Sequence, residues 1–228
     1  MLFERCAGDG PPLVLVHGLG VSSLYFAPAL RELSRDFACR APDLPGYGKS
    51  PKPRDALGVR RLADVLLALL DAPTLLVANS FGCQVAVEAA VRDPARVRAL
   101  VLVGPTYDPS ATLGQSTARL VRDAVREPPG LLARISLDYF RMGPRRLLQT
   151  ARSMARDPVA AKLPRVEAPT LVVRGERDGI VSQRWAERVA ALLPHGRLSV
   201  VSGAAHAVHW THPRELRRLV LELVEEAQ

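Results

Sequence analysis

Short apolar runs alternate with helical patterns along most of this sequence of 228 residues. Runs suited to buried strands lie at residues 13–16, 37–41, 74–77, 97–103, 170–173 and 198–201. Helical patterns lie near residues 26–35, 57–70, 85–90, 183–193 and 213–226. Strands that alternate with helices in this way predict an α/β fold with a doubly wound, mostly parallel sheet. Right-handed crossovers then place helices on both faces and the chemistry at the carboxyl ends of the strands.

The strand predicted at residues 74–77 runs directly into Ala78-Asn79-Ser80-Phe81-Gly82 and then into a helical stripe. A strand that becomes a helix within one or two residues forces its corner residue into a strained backbone conformation and exposes that side chain. Gly82 provides room where the strand and the helix nearly touch, and Ala78 provides most of it on the other side. The pattern therefore makes Ser80 a candidate nucleophile.

The pattern changes between residues 107 and 164, where no strand-like run occurs. Three helical segments are predicted there instead, near residues 112–126, 130–141 and 144–156. These helices either continue the core or form a lid inserted over the Ser80 corner, and an all-helical insertion of this length between two strands favours the lid. We therefore predict a core at residues 1–106 and 165–228 and a helical lid at residues 107–164.

Composition narrows the class of protein. A hydrophobic fraction of 48% with 24% charged residues is typical of a soluble globular protein. The net charge of +8 would suit a nucleic-acid partner, but the arginines are scattered between acids and no basic run is interleaved with aromatic residues, so no nucleic acid is expected. Three cysteines without a CxxC pair, and no signal-peptide pattern, indicate a cytoplasmic protein. No stretch reaches the roughly 18 apolar residues that a membrane span needs, so none is predicted.

A nucleophilic serine needs a base, and a histidine base needs an acceptor that fixes its tautomer. His206 follows the last predicted strand in a turn of small residues, and Asp178 follows the strand at residues 170–173 after a glycine turn. These positions make Asp178 the candidate acid and His206 the candidate base. Glu176 and Asp108 are alternative acids, and Asp178 could instead only cap the helix that follows it.

Three other histidines need an interpretation. His209 and His212 are spaced by three residues, which could suggest zinc, but no acidic or cysteine ligand accompanies them and HExxH is absent. We therefore predict no metal site and treat both as ordinary loop and helix-start residues. His17, in the sequence His17-Gly18-Leu19-Gly20, is interpreted as a structural loop residue rather than a catalytic one.

Together these motifs resemble the alpha/beta-hydrolase family, whose nucleophile elbow reads G-x-S-x-G; here Ala78 replaces the first glycine. The resemblance implies a catalytic triad of Ser80, Asp178 and His206. It also implies an oxyanion hole made by the backbone N–H groups of Leu19 and Phe81, with no metal and no organic cofactor.

Two further features follow from the same resemblance. Residues 42–50 are similar to the family's D-x-P-G-x-G-x-S loop, which we interpret as architectural. Larger members of the family begin with an antiparallel hairpin ahead of the strand that here holds residues 13–16. Because only about a dozen residues precede that strand, one or both edge strands should be short or missing.

The resemblance implies a serine hydrolase that cleaves a carboxylic ester of a small, apolar molecule through an acyl-enzyme. Asn79-Ser80-Phe81-Gly82 also resembles carbon–carbon bond hydrolases, but those generally carry tryptophan after the catalytic histidine, where Ala207 stands here. The same triad would also suit a thioesterase, and the same fold would suit a non-catalytic receptor for a small molecule.

Overall fold

The computed structural model describes residues 1–106, 108 and 127–226. Among these residues seven strands form one sheet in the order β1-β3-β2-β4-β5-β6-β7. The strands are β1 (Glu4–Ala7), β2 (Pro12–Val16), β3 (Ala38–Pro42), β4 (Thr74–Asn79), β5 (Val97–Val103), β6 (Thr170–Gly175) and β7 (Gly196–Val201). The pair β1–β3 is antiparallel and all other neighbours are parallel, which confirms the predicted fold class.

Helices connect the strands and close the chain. In the described residues the α-helices are α1 (Ala27–Leu33), α2 (Val59–Leu67), α3 (Phe81–Arg92), α4 (Pro129–Met142), α5 (Pro144–Arg156), α6 (Val159–Lys162), α7 (Gln183–Leu192), α8 (Val208–Thr211) and α9 (Pro213–Glu226). Short 3-10 turns occur at Ser23–Phe26, Pro94–Arg96 and Leu163–Arg165. None of the described helices combines the length and the apolar character that a membrane crossing requires.

The central strands are buried on both faces because successive side chains of a strand point to opposite sides of the sheet. In β4, Leu76 and Ala78 pack into the cluster that includes α2, α3 and α7. Leu75 and Val77 pack into the opposite cluster, which includes α1 and α9. Burial on both faces explains why these strands appear in the sequence as continuous apolar runs rather than as alternating ones.

The amino-terminal edge of the sheet is short. β1 has four residues and pairs antiparallel with β3 over Glu4–Ala7, and it is the one strand that precedes β2 in the described chain. The prediction of a shortened edge is therefore confirmed.

A helical insertion lies between β5 and β6. Helices α4 and α5 match the segments predicted near residues 130–141 and 144–156, and both begin at a proline, which suits the first helical position. The helix predicted near residues 112–126 lies outside the described residues. The division into a core and a lid at residues 107–164 stays a prediction.

Candidate active site

Ser80 occupies the sharp corner between β4 and α3. Its backbone angles are φ 56° and ψ −122°, and it is the one non-glycine residue with positive φ in the described chain. The Ser80 N–H donates to the carbonyl of Val103 at 3.0 Å, which ties the corner to the end of β5. A Cβ at Gly82 would approach the carbonyl of Val16 to under 3.0 Å, so the close contact with β2 requires glycine. The half-buried Ser80 side chain therefore stands at the carboxyl edge of the sheet.

Asp178 lies in the loop that follows β6 and is only 3% exposed. Its Oδ1 accepts the N–H groups of Ile180 and Val181, both at 2.8 Å. Its Oδ2 accepts from His206 Nδ1 at 2.9 Å. Burial alone would raise the pKa of Asp178, but the charge and hydrogen bond of His206 and the two backbone donors together lower the pKa. The carboxyl group is thus held as a carboxylate facing the imidazole.

His206 lies in the turn after β7, and its ring sits over Gly104 at the end of β5. A Cβ at Gly104, whose φ is +57°, would lie 2.7 Å from His206 Cε1. Gly104 directly follows Val103, the residue to which Ser80 is bonded. The ends of β4, β6 and β7 therefore bring Ser80, Asp178 and His206 to the same edge of the sheet, with Asp178 and His206 in direct contact.

The two predicted oxyanion donors lie on either side of the Ser80 corner. Leu19 belongs to the loop after β2, and that loop packs against the corner: a Cβ at Gly18 would lie 3.2 Å from Ser80 Cβ. Phe81 is the first residue of α3. The first N–H groups of an α-helix have no acceptor within the helix, so the Phe81 N–H is not used by α3 itself.

The alternative acids occupy different positions. Glu176 accepts the Gly203 N–H at 2.8 Å and the Ser202 hydroxyl at 3.1 Å, and these bonds lower the pKa of its carboxyl group. Asp108 Oδ2 lies 3.5 Å from the Ser182 hydroxyl at the start of α7. The contact with His206 Nδ1 supports Asp178 as the acid over Glu176.

His17 has a structural role in two neighbouring loops. Its Nε2 accepts the Leu44 N–H at 3.0 Å, its Nδ1 lies 3.0 Å from the Gly18 carbonyl, and burial lowers its pKa. Asp43 next to Leu44 accepts the N–H groups of Ser23 at 2.7 Å and Lys49 at 2.8 Å. These bonds support the architectural interpretation of residues 42–50.

His209, which was predicted to be an ordinary loop residue, lies instead in a short helix. Its ring is fully buried in α8 and packs against Tyr25 and Phe26, with ring centroids 4.4 and 4.5 Å apart. Neither ring nitrogen has a hydrogen-bond partner within the part of the chain that the structure describes. In that same part, His, Cys, Asp and Glu do not gather in groups of three or more that could hold a metal ion.

Arg174 is a residue that sequence reasoning missed. It lies near the end of β6, is 9% exposed, and reaches into the loop that carries Asp178. Its guanidinium donates to the carbonyls of Val181 at 2.9 Å, Glu176 at 3.1 Å and Asp178 at 3.1 Å. An arginine in an otherwise apolar strand, Leu171-Val172-Val173-Arg174, is the signal that could have identified it. Arg174 therefore fixes, from inside, the shape of the loop that carries Asp178.

Comparisons with known proteins agree with this fold. Residues 13–219 match the alpha/beta hydrolase family. The chain is 31% identical over 249 residues to the polyketide synthase ThaQ of Burkholderia thailandensis. This match covers 96% of the chain but only 12% of the length of ThaQ. It is 28% identical over 237 residues to a pimeloyl-(acyl-carrier protein) methyl ester esterase of Neisseria meningitidis, covering 92% of each. A thermophilic esterase from Thermogutta terrifontis superposes with a TM-score of 0.84 at 24% identity over 99% of this chain and 93% of that one, a likeness of fold.

Proposed function

The chain belongs to the alpha/beta hydrolase family, and from this premise we propose that it is a serine hydrolase that cleaves a carboxylic ester. The proposal rests above all on the bond between His206 Nδ1 and the buried carboxylate of Asp178, at the edge where Ser80 is held in a strained corner. Strain of this kind at a single non-glycine residue is a common mark of a functional site.

The reaction we propose has two halves. Ser80 Oγ attacks the ester carbonyl while His206 takes the hydroxyl proton, and Asp178 stabilises the imidazolium that forms. The N–H groups of Leu19 and Phe81 receive the negative charge on the carbonyl oxygen. The tetrahedral intermediate then expels the alcohol, which takes the proton from His206. Water, deprotonated by His206, releases the acid from Ser80 in the same way.

The choice of an ester is supported by the similar esterase of Neisseria meningitidis, whose name states that it acts on a methyl ester. An apolar acyl group is supported by the partly buried side chains of Leu19, Met154 and Ile180 near the proposed site. Ile180 lies two residues beyond Asp178, and Met154 Sδ lies 3.9 Å from the Thr106 hydroxyl, just after β5. We therefore propose a small-molecule ester with an apolar acyl part as the substrate class.

We also propose that residues 107–164 act as a lid over this edge. Gln84, in the helix that begins at Phe81, donates to the Met154 carbonyl in α5 at 3.0 Å. A contact from the insertion to the helix after Ser80 is the placement that a lid over the site would have.

Hydrolysis of short-chain p-nitrophenyl esters by the wild type and by Ser80→Ala tests the proposal. We expect the substitution to lower kcat by roughly a million-fold, as loss of a serine nucleophile does in a triad enzyme. A fluorophosphonate probe should label the wild type and not the variant. Ser34→Ala, which removes a hydroxyl that donates to the Arg31 carbonyl at the end of α1, is the matched control and should keep full activity.

Each of the following results would contradict the proposal. Hydrolysis that survives in Ser80→Ala, or activity in neither protein, argues against a serine hydrolase, and tight binding of an ester without turnover would favour a receptor. A dienol-ketone substrate turned over far faster than esters would move the assignment to carbon–carbon bond hydrolysis. A thioester preferred by the same margin would move it to a thioesterase.

A further inference from the structure

Helix α4 of the insertion contacts two loops of the proposed active site. One is the oxyanion loop, residues 17–22, and the other is the histidine loop, residues 202–207. Leu131, at the start of α4, belongs to a buried apolar cluster with Val21 of the first loop and Ala207 of the second. The helix is therefore packed between the loop that carries the proposed donor Leu19 and the loop that carries the proposed base.

A buried hydrogen bond fixes the oxyanion loop to this helix. The Ser22 hydroxyl donates to Asp138 Oδ2 at 2.7 Å, and the two residues are 4% and 5% exposed. The other carboxylate oxygen, Oδ1, accepts from the guanidinium of Arg134, one turn earlier in α4. A hydroxyl that donates to a carboxylate forms a strong and geometrically demanding hydrogen bond. Asp138 is thus held in place by its own helix and in turn holds Ser22.

Steric contacts fix the same loop from two sides. A Cβ at Gly20, whose φ is +78°, would approach the Tyr139 ring of α4 to under 3.0 Å. On the other side of Leu19, a Cβ at Gly18 would lie 3.2 Å from Ser80 Cβ. Leu19 therefore lies between one glycine that touches the Ser80 corner and another that touches α4.

The opposite end of the helix holds the histidine loop. Glu127, just before α4, accepts the backbone N–H of Ala207 at 2.8 Å, and it is buried. Ala207 directly follows His206. The helix rises about 14 Å between Pro129 and Asp138, so it links the two loops as a rigid spacer.

We propose that Asp138 is a positioning residue for the reaction: through Ser22 it sets the position of the oxyanion loop, and with it the Leu19 N–H, relative to His206. The inference rests on the proposed function, because it assigns a role to a loop that would bind the oxyanion. A displacement of about 1 Å in such a group can cost a hundredfold in rate. Helix α4 is then part of the catalytic framework, and a lid movement that displaced it would disassemble the site.

Ser22→Ala tests this directly, because it removes one hydroxyl and leaves the backbone free to adopt the same path. We expect kcat for a p-nitrophenyl ester to fall about 10- to 100-fold, with KM within about twofold of the wild type. Fluorophosphonate labelling of Ser80 should slow by a similar factor. Ser50→Ala is the matched control: Ser50 is equally buried and its hydroxyl accepts the Phe3 N–H at 2.9 Å, so the variant should lose similar stability but keep kcat.

Asp138→Ala and the double variant separate positioning from simple packing. We expect Asp138→Ala, which removes the acceptor of the Ser22 hydroxyl, to lower kcat in the same range. The double variant should be no slower than the slower single variant, since both changes break the same hydrogen bond. Wild-type kcat in Ser22→Ala, a change confined to KM, or a double variant whose losses multiply would overturn the inference. If the wild type is labelled at Ser80 but these variants behave like the wild type, only this inference fails. If Ser80 is not labelled at all, the proposed function fails first.

Discussion

His209 offers a prediction whose size can be worked out from the structure. Burial lowers the pKa of His209 well below the value of 6.5 in an unfolded chain, and the charge of neighbouring His206 lowers it further. Below pH 6.5 the unfolded chain therefore binds a proton that the folded protein does not bind. Because stability falls wherever the unfolded state binds more protons as pH falls, acid should destabilise the protein through this ring. Above pH 6.5 the ring is neutral in both states, and its contribution no longer changes with pH.

The perturbation is His209→Leu, which removes the titrating group from a fully buried position. One pH unit corresponds to about 1.36 kcal/mol per proton. Between pH 7.5 and pH 5.0 the histidine thus costs the wild type up to about 2 kcal/mol, a cost that the variant lacks. At pH 7.5 two effects of comparable size oppose each other, and neither changes with pH. Loss of the ring contacts with Tyr25 and Phe26 costs about 0.5–1.5 kcal/mol. Removal of two ring nitrogens that have no partner among the described residues gains about 1–3 kcal/mol.

The assay is urea unfolding of both proteins at pH 7.5 and pH 5.0. The expected result is that the difference in unfolding free energy shifts by about 2 kcal/mol in favour of the variant at the lower pH. His17 is also buried with a lowered pKa, but it is present in both proteins and its effect cancels. His195→Leu, which removes an exposed histidine, is the control: the difference in unfolding free energy between this variant and the wild type should be the same at pH 7.5 and pH 5.0. A shift below about 0.5 kcal/mol in His209→Leu would refute the reasoning, since one linked proton requires more.

Two further predictions concern the loop that carries Asp178 and the position of His206. Arg174→Met should destabilise the protein by about 3–5 kcal/mol, because three loop carbonyls lose a buried donor. The substitution should also lower kcat by displacing Asp178. Urea unfolding measures the first effect and ester assays the second, and a wild-type kcat would contradict the role of Arg174 in the loop that carries Asp178. Gly104→Ala should lower kcat at least tenfold, since its Cβ would lie 2.7 Å from His206 Cε1. Gly203→Ala is its control, with φ +72° but no atom within 4 Å of the new Cβ: equal kcat losses in the two glycine variants would show that backbone strain, and not displacement of His206, is the cause.

The core of the fold could be predicted because its signals are local. A parallel strand that is buried on both faces appears in the sequence as an uninterrupted apolar run. The strand at Thr74–Asn79 is such a run, and a helix that begins at Phe81 follows almost at once. The strain at Ser80 follows from that junction alone, with no knowledge of the rest of the chain. Asp178 and His206 were predicted to lie near each other from the rule that parallel strands carry their chemistry at one edge, together with the resemblance of their motifs to those of the alpha/beta-hydrolase family.

The contacts that complete the site could not be predicted, because they join residues distant in the sequence. The partners Ser22 and Asp138 are 116 residues apart, and Glu127 and Ala207 are 80 apart. A buried aspartate on a helix has the same sequence pattern as a solvated one. The burial of His209 could not be predicted for the same reason, since it depends on Tyr25 and Phe26, which only the fold brings to it.

Glycines give partial information in the sequence about these contacts between distant residues. At Gly20, Gly104 and Gly175 a Cβ would approach Tyr139, His206 and the Ala205 carbonyl, respectively, to under 3.0 Å. Each of these glycines comes at or just beyond the carboxyl end of a strand, where the loops of the site pack against one another. The sequence marks such positions as places of close approach, because only glycine leaves enough room, but it does not name the partner. The fold supplies the partner, and in all three cases the partner belongs to α4 or to the loop that carries His206, the two elements whose relative position decides whether the proposed site is assembled.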